Sequence, residues 1–274
     1  MTAYNTQKNL ILSIILLFVF VSHITSAGAQ GLIQQIKQKL EYVKKKPVIV
    51  FLISKDSNNY EAHKTVPRFA EMLNRDLGYK AIVLLGDGDH GSYRYASLDV
   101  LSKADLLVIF ARRIALPHEQ MNAIKSYLSK GKPLIGIRTA NHAFTVSGKV
   151  EEGFEDWPGF VADILGCQNR GYGPQEAGVD VSLVPEAASH PIVKDLQIQR
   201  WHCKGSIYRV APLLDREATV LLNGKVNDSV EPVAWTRIAG RSKVFYTSLG
   251  YPDDFETPQY ILLLLGGIKW ALEK

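Results

Sequence analysis

Continuous apolar runs alternate with amphipathic segments from Val48 to Ile137, and this alternation constrains the fold more than any other feature of the chain. The run Val48-Ile49-Val50-Phe51-Leu52-Ile53 has no polar position and is rich in β-branched residues, so it suits a strand buried on both faces. Helical spacing follows over Val66–Leu77, then a strand over Tyr79–Leu85, a short helix over Leu98–Lys103 and a strand over Asp105–Phe110. A helix over Glu119–Leu128 and a strand over Pro133–Ile137 complete the series. Strands separated by helices of this length join in parallel through crossovers, which predicts an α/β fold with a doubly wound, mostly parallel sheet between helical layers.

The second half has a different rhythm. An aromatic helix is expected at Trp157–Leu165 and a polar, Gly-rich stretch at Gln168–Gly178. Strands follow near Val179–Val184, Thr219–Leu222, Val233–Thr236 and Val244–Ser248, before a closing apolar helix at Gln259–Leu272. Strand after strand without intervening helices predicts an antiparallel extension of the same sheet. The expected organisation is therefore one domain over residues 47–273, preceded by a helical lead at 30–46 in which Leu32, Ile33, Ile36, Leu40 and Val43 share a face.

Residues 1–29 read as a signal peptide. Lys8 precedes an apolar run from Leu10 to Val21, and small residues then lead to Ala27-Gly28-Ala29, an A-x-A pattern with cleavage expected after Ala29. The run is shorter than the ~20 residues that span a bilayer core, so no stable membrane insertion is expected after cleavage. The predicted location is secreted or periplasmic.

The formal charge of +5 is densest at Lys44-Lys45-Lys46, beside the first strand, where a charge run is ordinarily a solvated flank. No arginine-rich helix, RNP-type aromatic motif or zinc-finger spacing accompanies it, which excludes nucleic acid as an expected partner. The two cysteines, Cys167 and Cys203, exclude a disulfide-stapled miniature fold; one bridge or two buried thiols both remain open.

In a sheet of this kind ligands bind beyond the carboxyl ends of the strands, so the loops after Ile53, Leu85, Phe110, Ile137 and Ser248 are where functional groups are expected. Several of these loops carry a recognisable pattern. Gly136-Ile137-Arg138-Thr139-Ala140-Asn141-His142-Ala143-Phe144, the pair His190-Pro191, Glu231-Pro232-Val233-Ala234-Trp235-Thr236-Arg237, Val244-Phe245-Tyr246-Thr247-Ser248-Leu249-Gly250 and the helix ending Ile268-Lys269-Trp270-Ala271-Leu272 occur in the order found in the ThuA-like family. The resemblance covers roughly Val48 to Leu272. It implies a flavodoxin-like core related to the class I glutamine amidotransferases and a link to sugar use, trehalose utilisation being the namesake; it does not by itself imply a reaction.

The amidotransferase pattern places a cysteine nucleophile after Gly-x at a strand end, and here Gly136-Ile137 is followed by Arg138, whose protonated guanidinium has no nucleophilic lone pair. Tyr251 stands where the triad histidine would follow the last strand. Glutaminase activity is therefore not expected. Relatives also commonly carry an acidic residue shortly before the tyrosine matching Tyr208, and this chain has Gly205 and Ser206 there.

The candidate catalytic groups are Arg138, a cationic fork suited to a carboxylate, phosphate or sugar oxygen, His142, a base near neutral pH, and Asp253. The candidate ligand contacts are Tyr60, Glu61, Asn141, His190 and Tyr251. Each has a plainer role available: loop ion pair for Arg138, turn capping for His190, helix N-terminal charge for Asp253. No His or Cys pair has the close spacing of a strong metal motif, so no metal ligand and no cofactor is assigned. The expected partner is a small sugar-like molecule, bound or processed. The alternatives are a non-catalytic binding or scaffold module of the same fold and a metal-dependent hydrolase.

Overall fold

The computed structural model describes residues 46–174, 177–196 and 200–273, and Pro47–Lys274 forms one compact unit. The expected signal peptide and all but the end of the helical lead lie outside the described residues.

Eleven strands and three α-helices run in the order β1 (Val48–Ile53), α1 (Ala62–Asp76), β2 (Lys80–Leu85), β3 (Leu106–Phe110), β4 (Leu116–Pro117), α2 (His118–Ser129), β5 (Leu134–Ile137), β6 (Phe154–Glu155), β7 (Val179–Leu183), β8 (Arg200–Cys203), β9 (Thr219–Val226), β10 (Ser229–Ala239), β11 (Ser242–Thr247) and α3 (Pro258–Leu272) among the described residues. Nine strands form one sheet in the order β2-β1-β3-β5-β11-β10-β9-β7-β8, and β4 and β6 pair separately. The first five run parallel, and β10, β9, β7 and β8 extend the sheet antiparallel. This is the expected flavodoxin-like core with its antiparallel extension.

Every residue of β1, β3 and β5 is buried, as continuous apolar strands require. Alternate side chains feed two cores. Ile49, Phe51 and Ile53 pack with α1 and α3, whereas Val48, Val50 and Leu52 pack with α2 and the short helix Leu98–Lys103. Cys203 belongs to the first core and Cys167 to the second, so the sheet separates them and both are free thiols.

Two elements differ from the expectation. The aromatic helix shortens to a wide, π-type turn at Phe160–Leu165, because Pro158 and Gly159 precede it and Gly166 closes it in the left-handed region. Strand β8 carries the polar side chains of Arg200 and His202, whose outward exposure on the sheet's edge disguised it in the sequence. Pro232 sits inside β10 at a register shift against β9, where the missing N–H interrupts no regular ladder.

Strands are added on opposite sides of β1 by β2 and by β3, and the loops at the carboxyl ends of the parallel β1 and β3 are locked together by one side chain. Asn59, fully buried, donates from Nδ2 to Ser54 O at 2.9 Å and Phe110 O at 2.8 Å, and accepts from Thr139 Oγ1 at 2.5 Å. Three loops thus share one amide. Replacing it leaves the Ser54 carbonyl and the Thr139 hydroxyl without this partner and the Phe110 carbonyl with a long 3.4 Å bond from the Ser54 N–H, at about 1 kcal/mol or more for each lost bond. The substitution Asn59→Ala is expected to destabilise the fold by roughly 2–4 kcal/mol in urea unfolding; a loss under about 0.5 kcal/mol would show that the loops hold without it.

Candidate ligand site at the carboxyl edge of the sheet

The turn after β5 carries three of the sequence-predicted groups, Arg138, Asn141 and His142, and it separates them. Residues Arg138–His142 form a tight 3-10 turn that begins with Arg138 at φ 44°, a left-handed backbone that costs a non-glycine residue energy. Tyr246 donates its hydroxyl to the Arg138 carbonyl at 2.7 Å and so holds the bend from the neighbouring strand.

The side chain of Arg138 then turns inward. It is 1% exposed, with Nη1 donating to Ser248 O at 2.8 Å and Nη2 reaching Ser206 O and Oγ at 3.4 Å. The guanidinium lies 4.0 Å from the Tyr60 ring centroid, 4.9 Å from that of Tyr208 and 5.9 Å from that of Tyr251, an aromatic cage. A Cβ on Gly205 would come within 2.8 Å of Nη2, so bare backbone at that position is what lets the guanidinium fit. Burial works against the charge, but the Tyr208 and Tyr60 phenols and the Asp254 carboxylate outweigh it and raise the Arg138 pKa. Arg138 therefore does not face an open cleft. It is a strut behind the site.

His142, at the other end of the same turn, is also buried, at 4% exposed, yet borders open space. Together with Asn141 it lines a cavity of about 550 Å³ whose wall also includes Arg113, Asn169 and Tyr172. The imidazole Nδ1 is hydrogen-bonded to Asn141 Oδ1, and Asn169 Nδ2 lies 3.2 Å from the same nitrogen and 3.1 Å from the Tyr172 hydroxyl. Asn141 Oδ1 only accepts and Asn169 Nδ2 only donates, so the two neighbours of Nδ1 favour opposite tautomers of the neutral ring. The ring packs between Tyr172 and Tyr208, with centroids 6.2 and 6.1 Å away. Burial first, then the charges of Arg113, Arg112 and Arg138, lower the His142 pKa to about 3. The ring is neutral at any physiological pH.

The remaining candidates disperse. Tyr60 and Tyr251, with ring centroids 5.8 Å apart, belong to the Arg138 cage. Glu61 is exposed and ion-paired with Lys64 at 2.6 Å. Asp253 is exposed and paired with Lys204, while its neighbour Asp254 accepts the Gly250 and Tyr251 N–H groups at 2.8 Å each and so ties the turn before α3. His190 lies elsewhere, against Trp270 with centroids 5.9 Å apart, and accepts the Ile192 N–H at 3.2 Å in the turn-capping role.

Arg113, Asn169 and Tyr172 complete the cavity without any short motif to announce them. Arg113 sits in the loop after Phe110, where the parallel topology puts functional groups, and the other two come from the Gly-rich stretch. Cys167 also lines the cavity, but burial pushes its thiol up to about 12, so no thiolate is at hand. Among the described residues, no three His, Cys, Asp or Glu side chains gather in a way that would hold a metal ion.

The pattern of the ThuA family, described as trehalose utilisation, matches residues 48–271. The chain belongs to the ThuA family. Its fold is similar to that of a ThuA-like protein from Bacteroides uniformis ATCC 8492, with a TM-score of 0.61 at 16% identity over 83% of this chain and 92% of that one. A ThuA-like protein from Parabacteroides merdae ATCC 43184 gives 0.60 at 17% identity over 83% and 90% of the two chains. A cytoplasmic protein from Salmonella typhimurium LT2 gives 0.55 at 12% identity over 82% and 100%. No curated protein matches the chain.

In this ThuA-family fold the neutral His142 has a measurable consequence. An unfolded imidazole takes up a proton near pH 6.5. The folded one does so only near pH 3, so its contribution to stability is complete above about 6.5 and is lost as pH falls towards 3. Between pH 6 and 4 the unfolding free energy of wild-type protein is expected to fall more steeply than that of His142→Gln, by up to about 1.4 kcal/mol per pH unit. Parallel slopes would mean that His142 is protonated in the folded state.

Proposed function

We propose that this ThuA-family protein is exported and takes a small sugar-type ligand in the cavity beside His142, in the service of carbohydrate utilisation. The observation that carries this reading is the composition of the cavity wall. A neutral imidazole, three side-chain amides, a guanidinium and the 42% exposed ring of Tyr172 surround a space of about 550 Å³. Hydroxyl-rich ligands need such paired donors and acceptors together with a flat apolar face. Export rests on the Lys8, Leu10–Val21 and Ala27-Gly28-Ala29 pattern.

Glutaminase chemistry has no residue to run on. The strained strand-end turn that would present a nucleophile presents Arg138, and that side chain is folded inward. The usual glycosidase mechanism needs two carboxyl groups across the ligand, and no Asp or Glu lines the cavity among the described residues. Among the described residues the cavity wall offers acid–base chemistry the imidazole of His142, a weak base at its lowered pKa.

A second reading, a non-catalytic binding module, is favoured by the same lack of an acid partner for His142. Binding and turnover separate the two. Ordinary and oxidised disaccharides are expected to raise the melting temperature of wild-type protein, and Tyr172→Ala to weaken their binding at least tenfold by calorimetry. Turnover that disappears in His142→Ala selects the enzyme; binding without turnover selects the module. No shift with any sugar of the panel would end the sugar reading.

A further inference from the structure

The wall of this cavity is unbalanced in charge and in hydrogen-bonding capacity, and both imbalances have the same sign. Arg112 and Arg113 are adjacent, but only the first is neutralised: Arg112 Nη1 lies 3.0 Å from Asp56 Oδ2, and His90 Nε2 holds the same oxygen at 2.7 Å. Arg113 has neutral acceptors only, Ser147 Oγ at 2.7 Å and the Thr145 carbonyl at 3.4 Å, both from Nη1. No carboxylate pairs with it among the described residues, although it lines the cavity.

The backbone holds Arg113 in this position. It sits at φ 51°, in the left-handed region, with its N–H donating to the His142 carbonyl at 3.1 Å. The loop after β3 is thereby tied to the turn after β5, and the guanidinium stays on the cavity side.

A second, independent feature lies beside it. Asn141 is fully buried and lines the cavity, and its Nδ2 has no hydrogen-bond partner among the described residues while its Oδ1 is engaged by His142. A buried amide donor without an acceptor is destabilising, and a ligand oxygen in the cavity would satisfy it. An unneutralised guanidinium and an orphaned N–H donor are what an anionic oxygen group requires.

We propose that the ligand of this cavity is an acidic sugar, with its carboxylate or phosphoryl group taken by Arg113 and Asn141 and a hydroxyl by the neutral imidazole of His142. This rests on the sugar reading above and names the charge that reading leaves open. The depressed pKa of His142, to which Arg113 makes the largest contribution after burial, fits an uncompensated positive field. A bound anion would raise it.

Calorimetry with glucose, glucuronate and glucose 6-phosphate tests the assignment on the full mature chain. At least one of the two acids is expected to bind tenfold or more tighter than glucose, with an advantage that shrinks as salt is raised and vanishes in Arg113→Gln. Which acid prevails identifies the anionic group. Arg113→Lys keeps the charge but loses the fork, so partial retention is expected. The His142 pKa, followed by NMR, is expected to rise on binding. Equal affinity for glucose and both acids, unchanged in Arg113→Gln, would overturn the charge assignment while leaving a sugar site. Binding of none of the three, alongside tight binding of a neutral disaccharide, would overturn it as well; silence towards every sugar would remove the sugar reading with it.

Discussion

A guanidinium sealed beneath the carboxyl edge of the sheet holds this end of the molecule together. Arg138 is the largest polar side chain in the interior, and its charge meets no carboxylate at ion-pair distance among the described residues. A buried charge in that position is tolerable only if dipoles and aromatic faces replace water. The Ser248 and Ser206 carbonyls supply the dipoles, and the Tyr60 and Tyr208 rings supply cation–π contacts. Four chain segments are recruited by that requirement: the loop after β1, the turn after β5, the segment after β8 and the end of β11. Removing any one leaves the charge short of a partner, so the loops are fixed jointly.

The cavity inherits its shape from this arrangement. Arg138 and His142 are the two ends of one buried 3-10 turn, and anchoring the first sets where the second meets the cavity wall. The sharp backbone bend at Arg138 has the position and strain of a nucleophile turn, but its side chain has become a fastening. Four residues along stands His142, an imidazole kept neutral by burial and by three guanidinium groups. The three have separate tasks. Arg138 braces the loops, Arg112 is neutralised by Asp56, and Arg113 remains available at the cavity wall.

The sheet was legible because burial on both faces leaves an unambiguous trace: Val48–Ile53 and Leu106–Phe110 contain no residue that tolerates water. The closing helix and the ThuA pattern were legible for similar reasons, since apolar periodicity and short motifs are local properties. Side-chain direction is not local. Arg138 read as an open cationic fork because an arginine is seldom fully buried, and only the distant Gly205, Ser206, Tyr208 and Ser248 create a place that accepts it. His142 and Asn141 were identified from the same turn; Glu61 and His190 are tied to the near neighbours Lys64 and the Ile192 N–H, whereas the partner of Asp253, Lys204, is one the sequence order does not disclose.

Arg113 shows the other side of the same limit. Two consecutive arginines after a strand look equivalent, and the difference between them lies in an aspartate more than fifty residues away in the chain. Asp56 is itself held low in pKa: burial opposes this, but the Asn58 N–H, His90 and Arg112 outweigh it, so the carboxylate stays charged and occupied. Were Asp56 to face Arg113 instead, the cavity wall would be neutral and suited to an uncharged sugar. The selectivity of the site thus turns on which of two adjacent guanidinium groups the β1 loop neutralises, and Asn59, which sets that loop against β3 and β5, makes the choice permanent.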